Sequence, residues 1–272
     1  MYGLAIILLQ ILIYHFFLRP IITRWGASKE EVSMSMDGDE KFLVTKSTRA
    51  ISIFAEKSDV WKWLIQLGAD RCGFYSYSFI ENLLGYKTRH QDFIRPEFQE
   101  INVGDIVRGS IDEKSSIIPY NFRVLDVQPE STLVLEKWGT FSLKKISNQE
   151  TRLVIRTREN KASSIYSKAF SYIMIAFHYL MERRTLIGIK TRVESGEGIR
   201  FSQASDILWF LGVVLSELLI LSCSFTGYGI VQAFIYPLIL SLIWLFSVFI
   251  FKPVPLYGVG LFFLCVAILV VL

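Results

Sequence analysis

The sequence predicts an α+β domain, built as a curved antiparallel sheet wrapped on one long helix, together with about four transmembrane helices. Three features support this prediction. Residues 162–195 form one long amphipathic pattern, strand-like segments follow each other closely between residues 105 and 158, and apolar stretches lie at both ends of the 272-residue chain. A helix with one apolar side and a sheet with one apolar face are stable when they cover each other.

The apolar stretches account for the composition, which is 52% hydrophobic with a mean hydropathy of +0.40. Met1–Leu18 has no basic n-region and no A-x-A cleavage site, so we expect a retained membrane anchor and not a removed signal peptide. Three further stretches come near the ~20 residues that a helix needs to cross a bilayer: Ile207–Cys223, Ile230–Phe251 and Pro255–Leu272.

These boundaries divide the chain into four regions. We expect an N-terminal transmembrane anchor over residues 1–19, a lead-in segment over 20–45, the α+β domain over 46–200, and a membrane region with about three transmembrane helices over 207–272. Arg19 and Arg24 follow the first span, whereas the loop Ser224–Gly229 carries no charge. The positive-inside rule therefore predicts a multi-pass protein of the cell membrane with its middle domain in the cytoplasm.

Charge and motif content exclude several functional classes. The net charge of +4 includes no basic block of the kind that binds nucleic acid. The sequence has no GxGxxG, Walker A, HExxH or GxSxG motif. The three histidines cannot assemble a His-rich metal site, and the three cysteines form neither a CxxC motif nor a disulfide framework. We therefore predict no metal and no cofactor, and the sequence leaves the oligomeric state open.

The elements of the middle domain follow from pattern and turn chemistry. A strand is predicted at Ser47–Ala55, a helix at Ser58–Leu67, and a short helical piece at Tyr77–Leu84 within an aromatic, irregular region. The remaining strands are predicted at Asp105–Ser110, Asn121–Val127, Thr132–Lys137, Thr140–Ile146 and Thr151–Arg158. Strands joined by such short connections pair antiparallel, because a parallel pair needs a long crossover.

The long helix begins after Ser163 or Ser164, either of which is a suitable N-cap. Polar residues recur on one side, at Ser164, Lys168, Ser171, His178, Glu182, Thr185 and Arg192. Apolar residues occupy the wide opposite side, at Ile165, Ala169, Tyr172, Ile173, Ala176, Phe177 and Leu180. We expect this apolar side to lie on the sheet, with His178 as a surface or hydrogen-bonded histidine.

Several stretches resemble bacterial proteins of the SRPBCC superfamily (START/Bet v 1-like, polyketide-cyclase-related). They are GFYSYSFIENLLG (Gly73–Gly85), RHQDFIRPEFQEINVGD (Arg89–Asp105), TRWGASKEEV in the lead-in segment, VWKWLIQLG in the short helix and MERRTLIGIK in the long helix. The resemblance covers roughly residues 23–195 and implies a helix-grip fold. Because the superfamily includes lipid carriers, ligand binders, cyclases and chaperone activators, it leaves the function open.

Aromatic residues with a few polar neighbours are what a pocket for an apolar ligand needs. The predicted ligand-binding residues are Phe74, Tyr75, Tyr77, Phe79, Glu81, Asn82 and Leu84, with Phe122, Trp138 and Phe141 from the strands and Ile173 and Phe177 from the long helix. They would line a cavity between the sheet and the helix. The alternative is that these rings fill the core.

We therefore interpret the chain as a membrane-anchored, cytoplasmic domain that binds a hydrophobic small molecule or lipid. A cyclase- or hydratase-like enzyme is one alternative, because His90 and Asp92 could supply a general base and Arg89 could steady an oxyanion. The same cluster is also typical of a hydrogen-bonded loop. A further alternative is a regulator that docks a partner.

Glu217 is a carboxylate inside a predicted span, where ionisable residues suggest a function. Gln10, Gln232 and Tyr236 are its possible partners. A role in helix packing and a role in proton or ion relay both fit the sequence.

Overall fold

A computed structural model describes residues 2–41, 44–88, 91–112, 114, 121–159, 164–196 and 203–271. The chain divides into two compact units. One comprises Met1–Ile21 and Ser202–Leu272, and the other comprises Ile22–Phe201.

Over the described ranges, the α-helices are α1 (Tyr2–Ile13), α2 (Arg19–Ile22), α3 (Lys29–Ser33), α4 (Lys57–Ile65), α5 (Ser78–Leu83), α6 (Ile165–Ser195), α7 (Gln203–Thr226), α8 (Tyr236–Phe249) and α9 (Pro255–Val266). The strands are β1 (Val44–Ile53), β2 (Ile106–Arg108), β3 (Asn121–Gln128), β4 (Thr132–Leu135), β5 (Gly139–Ser147) and β6 (Glu150–Glu159). Short π-helical turns occur at Tyr14–Leu18, Val231–Ile235 and Ala267–Val271, and short 3-10 turns at Asp39–Lys41 and Pro96–Phe98.

The second unit is α+β, with a six-stranded sheet and one long helix. The strand order is β1-β6-β5-β4-β3-β2, and every neighbouring pair is antiparallel. The antiparallel connectivity predicted from the short turns is confirmed. The strand after residue 105 is shorter than predicted, since β2 contains only Ile106, Val107 and Arg108.

The two faces of β6 explain how the sheet is covered. Leu153 and Ile155 are buried in the main core, whereas Arg156 lies on the opposite face with Val154. Arg156 donates to the Asp39 carboxylate at 2.8 Å and to the carbonyl oxygens of Met34 at 2.7 Å and of Glu31 at 2.8 Å. The lead-in segment is therefore fastened across the outer face of the sheet.

The same segment also covers the edge strand β1. The backbone N–H groups of Thr48 and Ala50 donate to the carbonyl oxygens of Thr23 and Trp25, at 2.9 and 3.1 Å. An edge strand with unpaired backbone groups is prone to pair with other chains. Residues 23–25 satisfy these groups within the unit.

The long helix α6 forms as predicted, but its predicted orientation is wrong. Ser164 caps its start, with its Oγ accepting from the Ser167 N–H at 3.1 Å. The side that faces the sheet contains Ile175, Tyr179, Glu182, Leu186 and Ile189, all of them buried. Ile165, Ile173 and Phe177, which were expected to face the sheet, are exposed. The polar pattern of the helix predicted the wrong side because it placed Glu182 and Arg192 on the surface. Both residues are buried, since each forms an ion pair with a residue elsewhere in the fold.

Among the described residues of the first unit, three helices are long and apolar enough to cross a membrane: Tyr2–Ile22, Gln203–Thr226 and Val231–Phe249. The fourth predicted span forms a shorter apolar helix, Pro255–Leu269, which falls below that length. α7 and α9 cross at Gly212 and Gly258, where an added Cβ on either glycine would overlap the backbone of the other helix. Small residues at such crossings let helix backbones pack closely.

A polar cluster joins three helices of this unit. The Gln10 side-chain amide on α1 donates to Glu217 Oε1 on α7 and to Ser241 Oγ on α8, both at 3.0 Å. Of the three partners that the sequence suggested for Glu217, all within the described part of the chain, Gln10 is the one hydrogen-bonded to it. The contact supports a role in helix packing.

Candidate functional site

Four of the predicted ligand-binding aromatics form one packed cluster. The Trp138 ring centroid lies 5.8 Å from that of Phe74, 4.9 Å from that of Phe122 and 5.0 Å from that of Phe141. All four side chains are buried, and Trp138 also contacts His178 and Glu182 of α6. These rings therefore fill the space between sheet and helix where the sequence placed a ligand.

Tyr75 is also a packing residue. Its hydroxyl accepts from Gln66 Nε2 at 2.9 Å and donates to the Trp63 carbonyl oxygen at 3.2 Å, while the Arg192 guanidinium lies 4.6 Å from its ring. Burial raises the pKa of Tyr75 above its ordinary value. These contacts fix Tyr75 in the interior, between α4 and the end of α6.

The remaining predicted residues of this stretch lie on or beside α5. Tyr77 is buried beneath Arg184 of α6, with 6.0 Å between guanidinium and ring, and Phe79 is half-buried beside it at 6.1 Å. Asn82 is exposed and accepts from the Thr88 N–H at 3.0 Å, and Leu84 is half-buried. These contacts join the residues to α6 and to the chain after α5.

Glu81 is the one buried carboxyl among the predicted ligand-binding residues. Burial raises the pKa of Glu81 to about 7. The side chain of Thr88 hydrogen-bonds to this carboxyl and opposes part of the rise in its pKa. Glu81 is therefore a carboxyl group that takes up a proton near neutral pH.

The cluster proposed for the enzyme alternative is only partly described. Arg89 and His90 lie outside the described residues. Asp92 accepts from Arg192 Nη2 at 2.6 Å, in a pair that is largely buried. Asp92 thus holds the loop after residue 90 against the end of α6, as expected of a hydrogen-bonded loop.

A second buried ion pair was not foreseen from the sequence. Arg49 Nη1 of β1 lies 3.2 Å from Glu182 Oε1 of α6, and both side chains are buried. Glu182 Oε2 accepts from Thr157 Oγ1 at 2.8 Å and lies 3.4 Å from His178 Nδ1. The strand pattern of β1 indicated that Arg49 is buried. Arg49, Ile51 and Ile53 are two residues apart, so they lie on the same inward side of the strand.

The first half of α6 carries an exposed apolar stripe, which we call the bare face: Tyr166, Phe170, Ile173 and Phe177. Their exposed fractions are 84%, 55%, 67% and 37%. Steps of three and four residues place these side chains on one side of the helix. That side is opposite to the one that packs on the sheet through Ile175 and Tyr179.

The second half of α6 is covered on the corresponding side. Ser76 Oγ donates to the Met181 carbonyl oxygen at 2.9 Å, and Arg184 stacks over Tyr77. An added Cβ at Gly188 would overlap the Tyr75 carbonyl oxygen. The segment from Tyr75 to Tyr77 therefore covers the helix from Met181 onwards, and the bare face is the part that precedes this cover.

Cavities at the surface of the described residues include two with volumes of about 540 and 250 Å³. The larger is lined by Ile106, Arg108, Ile111, Asp112, Lys114 and Asn121, and the smaller by Arg24, Ala27, Ser28, Lys29 and Val32. Neither contains a predicted ligand-binding residue. Ile173 and Phe177, predicted to line a cavity under the helix, instead belong to the bare face, together with Tyr166 and Phe170, which were not predicted.

Comparison with known proteins adds little to this picture. No protein-family model and no curated protein matches the chain. Among solved structures, the chain is similar to the Aha1 dimer from Colwellia psychrerythraea, determined in solution. That match has 15% sequence identity and a TM-score of 0.32, and it covers 57% of this chain and 100% of that chain. Membership of the SRPBCC superfamily stays a prediction.

Proposed function

We propose that this protein is a membrane-anchored module that binds a hydrophobic molecule of the lipid class on the bare face of α6. One observation carries the proposal. Tyr166, Phe170, Ile173 and Phe177 expose a continuous apolar stripe in the first half of α6, whereas the segment from Tyr75 to Tyr77 covers the corresponding side of the second half. Contiguous exposed apolar surface of this kind marks an interaction site.

The composition around the bare face favours a lipid. The tyrosine and the two phenylalanines provide large apolar contact areas, and Tyr166 adds a polar tip. No carboxylate occurs between Ser164 and Met181. The chain also has helices long enough to hold the domain at a membrane, which raises the effective concentration of lipid at the face. In this proposal the domain lies on the cytoplasmic side.

Docking of another protein is the second candidate function. It is favoured by the filled core, since Phe74, Trp138 and Phe141 occupy the space that a ligand-binding fold would leave empty. The partner would then offer an apolar surface to the same four residues. The enzyme alternative depends on His90, which lies outside the described residues, and it stays a prediction.

The proposal is tested on the full chain in lipid nanodiscs that contain a phospholipid with a diazirine on its acyl chain. After illumination, labelled peptides are located by mass spectrometry. We expect labelling of the peptide that contains the bare face. The double variant Ile173→Ser/Phe177→Ser should reduce this labelling by more than about tenfold, because two apolar side chains are lost from the contact.

The matched control is Ile146→Ser, which removes an exposed apolar side chain from β5. It should leave labelling of α6 unchanged. Labelling of α6 at background level in the unmodified protein would overturn the proposal and favour protein docking.

A further inference from the structure

We infer that the first half of α6 lies in the interfacial layer of the bilayer in which the chain is anchored, with the bare face among the lipids. This inference rests on the proposed function, in which lipid occupies the bare face. It adds that the lipid is the membrane surface itself and not a single molecule taken out of it.

The shape of the site supports this occupant. Small-molecule sites are concave and enclose most of their ligand. The bare face is the convex side of a helix, and its residues are not among those that line the surface cavities beside Ile106 and beside Arg24. Tyr166 and Phe177 are separated by about 16 Å along the helix axis, from a rise of ~1.5 Å per residue. An extended, convex stripe of this length fits a flat lipid surface.

The charge pattern is that of a helix lying on a membrane. Such helices carry apolar and aromatic residues on one side and basic or polar residues on the other. Lys168 and Ser171 lie on the side away from the bare face, and Lys46 of β1 donates to Ser171 Oγ at 3.0 Å. With no carboxylate between Ser164 and Met181, this part of the helix does not repel anionic headgroups.

A chain of buried bonds ties α6 to Ile22, the first residue of the second unit. The apolar helix Tyr2–Ile22 ends at Ile22, whose carbonyl oxygen accepts from Arg49 Nε at 2.8 Å. Arg49 in turn pairs with Glu182. Phe177 precedes Glu182 by five residues, which is about 7.5 Å along the helix. Within the second unit, Phe177 at the end of the bare face is therefore about one and a half helical turns from a side chain that is tied to Ile22.

The test uses the full chain in vesicles of phosphatidylcholine and phosphatidylglycerol, with a spin label at Ile173→Cys or, as the control, at Lys145→Cys on β5. The background carries Cys223→Ser, since Cys72 and Cys265 are buried. Burial also raises the pKa of the Cys72 thiol to about 12, which keeps it unreactive. Accessibility is measured with oxygen, which concentrates in lipid, and with a nickel chelate, which stays in water.

We expect the label at position 173 to be accessible to oxygen and protected from the nickel chelate, and the label at position 145 to show the reverse. A label at position 173 that is open to the nickel chelate would overturn the inference. If lipid photolabelling of α6 persisted in that case, the proposed function would stand and the face would hold an individual lipid. Protection from both reagents would mean that a protein surface covers the face, and this too would overturn the inference.

Discussion

Arg49 and Glu182 form a buried ion pair that fastens the long helix to the edge strand of the sheet, with 3.2 Å between Nη1 and Oε1. Nε of Arg49 also donates a hydrogen bond to the carbonyl oxygen of Ile22. The pair therefore connects three parts of the second unit: Ile22, the strand β1 and the middle of α6. Glu182 lies on the side of α6 that faces the sheet, opposite the bare face.

The first prediction concerns this pair. Arg49→Met leaves the Glu182 carboxylate buried without its cation and should cost about 3–5 kcal/mol of unfolding free energy. For a unit of this size, that lowers the melting temperature by about 6–20 °C. Thermal unfolding of the full chain in detergent, followed by circular dichroism, measures the change.

The double variant Arg49→Met/Glu182→Gln provides the control. Its neutral amide keeps an acceptor for Thr157 and leaves no unpaired buried charge, so it should be more stable than Arg49→Met alone. A double variant that melts below the single one would show that charge compensation is not what the pair provides.

The second prediction concerns the lead-in segment. Arg156→Leu removes the hydrogen bonds to Asp39, Met34 and Glu31 and leaves their acceptors unpaired. We expect the segment to separate from the sheet and become sensitive to limited proteolysis between residues 28 and 41. Lys145→Leu, at an exposed position of β5, should leave the cleavage pattern unchanged. Equal protection in both variants would mean that other contacts hold the segment.

The third prediction concerns pH. Burial raises the pKa of Glu81 from 4.5 to about 7, so the folded unit holds a proton that the unfolded chain has lost. Stability therefore falls as pH rises from about 4.5 to about 7 and is constant above that, with a total change on the order of 3 kcal/mol. Glu81→Gln should remove this fall and raise the melting temperature at pH 8. The exposed Glu136→Gln should not, and a wild-type melting temperature that is flat over this range would contradict the assignment.

The fourth prediction concerns the polar cluster in the first unit. Glu217→Gln keeps a side-chain oxygen that accepts from Gln10, whereas Glu217→Leu loses it. Hydrogen bonds between membrane helices contribute about 0.6–2 kcal/mol. We expect the leucine variant to unfold at lower denaturant concentration in a detergent titration, and the glutamine variant to match the original. Equal loss in both variants would indicate that the ionised carboxylate itself is required.

The strands of the sheet could be predicted from the sequence because each strand pattern depends on neighbouring residues alone. Alternation along β6 separates Leu153 and Ile155 from Arg152 and Arg156, and short turns force antiparallel pairing. Which side of α6 faces the sheet could not be predicted in this way. Glu182 and Arg192 look like surface residues until their partners, Arg49 and Asp92, are known, and these partners lie far away in the sequence.

Two residues of the bare face, Ile173 and Phe177, were named from the sequence, but in different surroundings. Ile173 and Phe177 were named from the sequence as lining a cavity beneath α6, whereas the structure exposes them on its far side. The rings of Phe74, Trp138 and Phe141 pack against each other in the core, on the side of α6 that faces the sheet. How far the cover from Tyr75 to Tyr77 extends along α6 depends on tertiary packing. The periodicity of the helix alone therefore could not show that Tyr166 and Phe170 stay bare.

The central claim is that lipid occupies the bare face, and a photoreactive residue on that face tests it most directly. The full chain in nanodiscs would carry p-benzoylphenylalanine in place of Ile173 and, in a control, in place of Ile146. The account predicts that illumination of the first protein yields an adduct whose added mass is that of a nanodisc lipid, and that the control yields none. A cross-link from position 173 to protein, or no adduct at all, would contradict it.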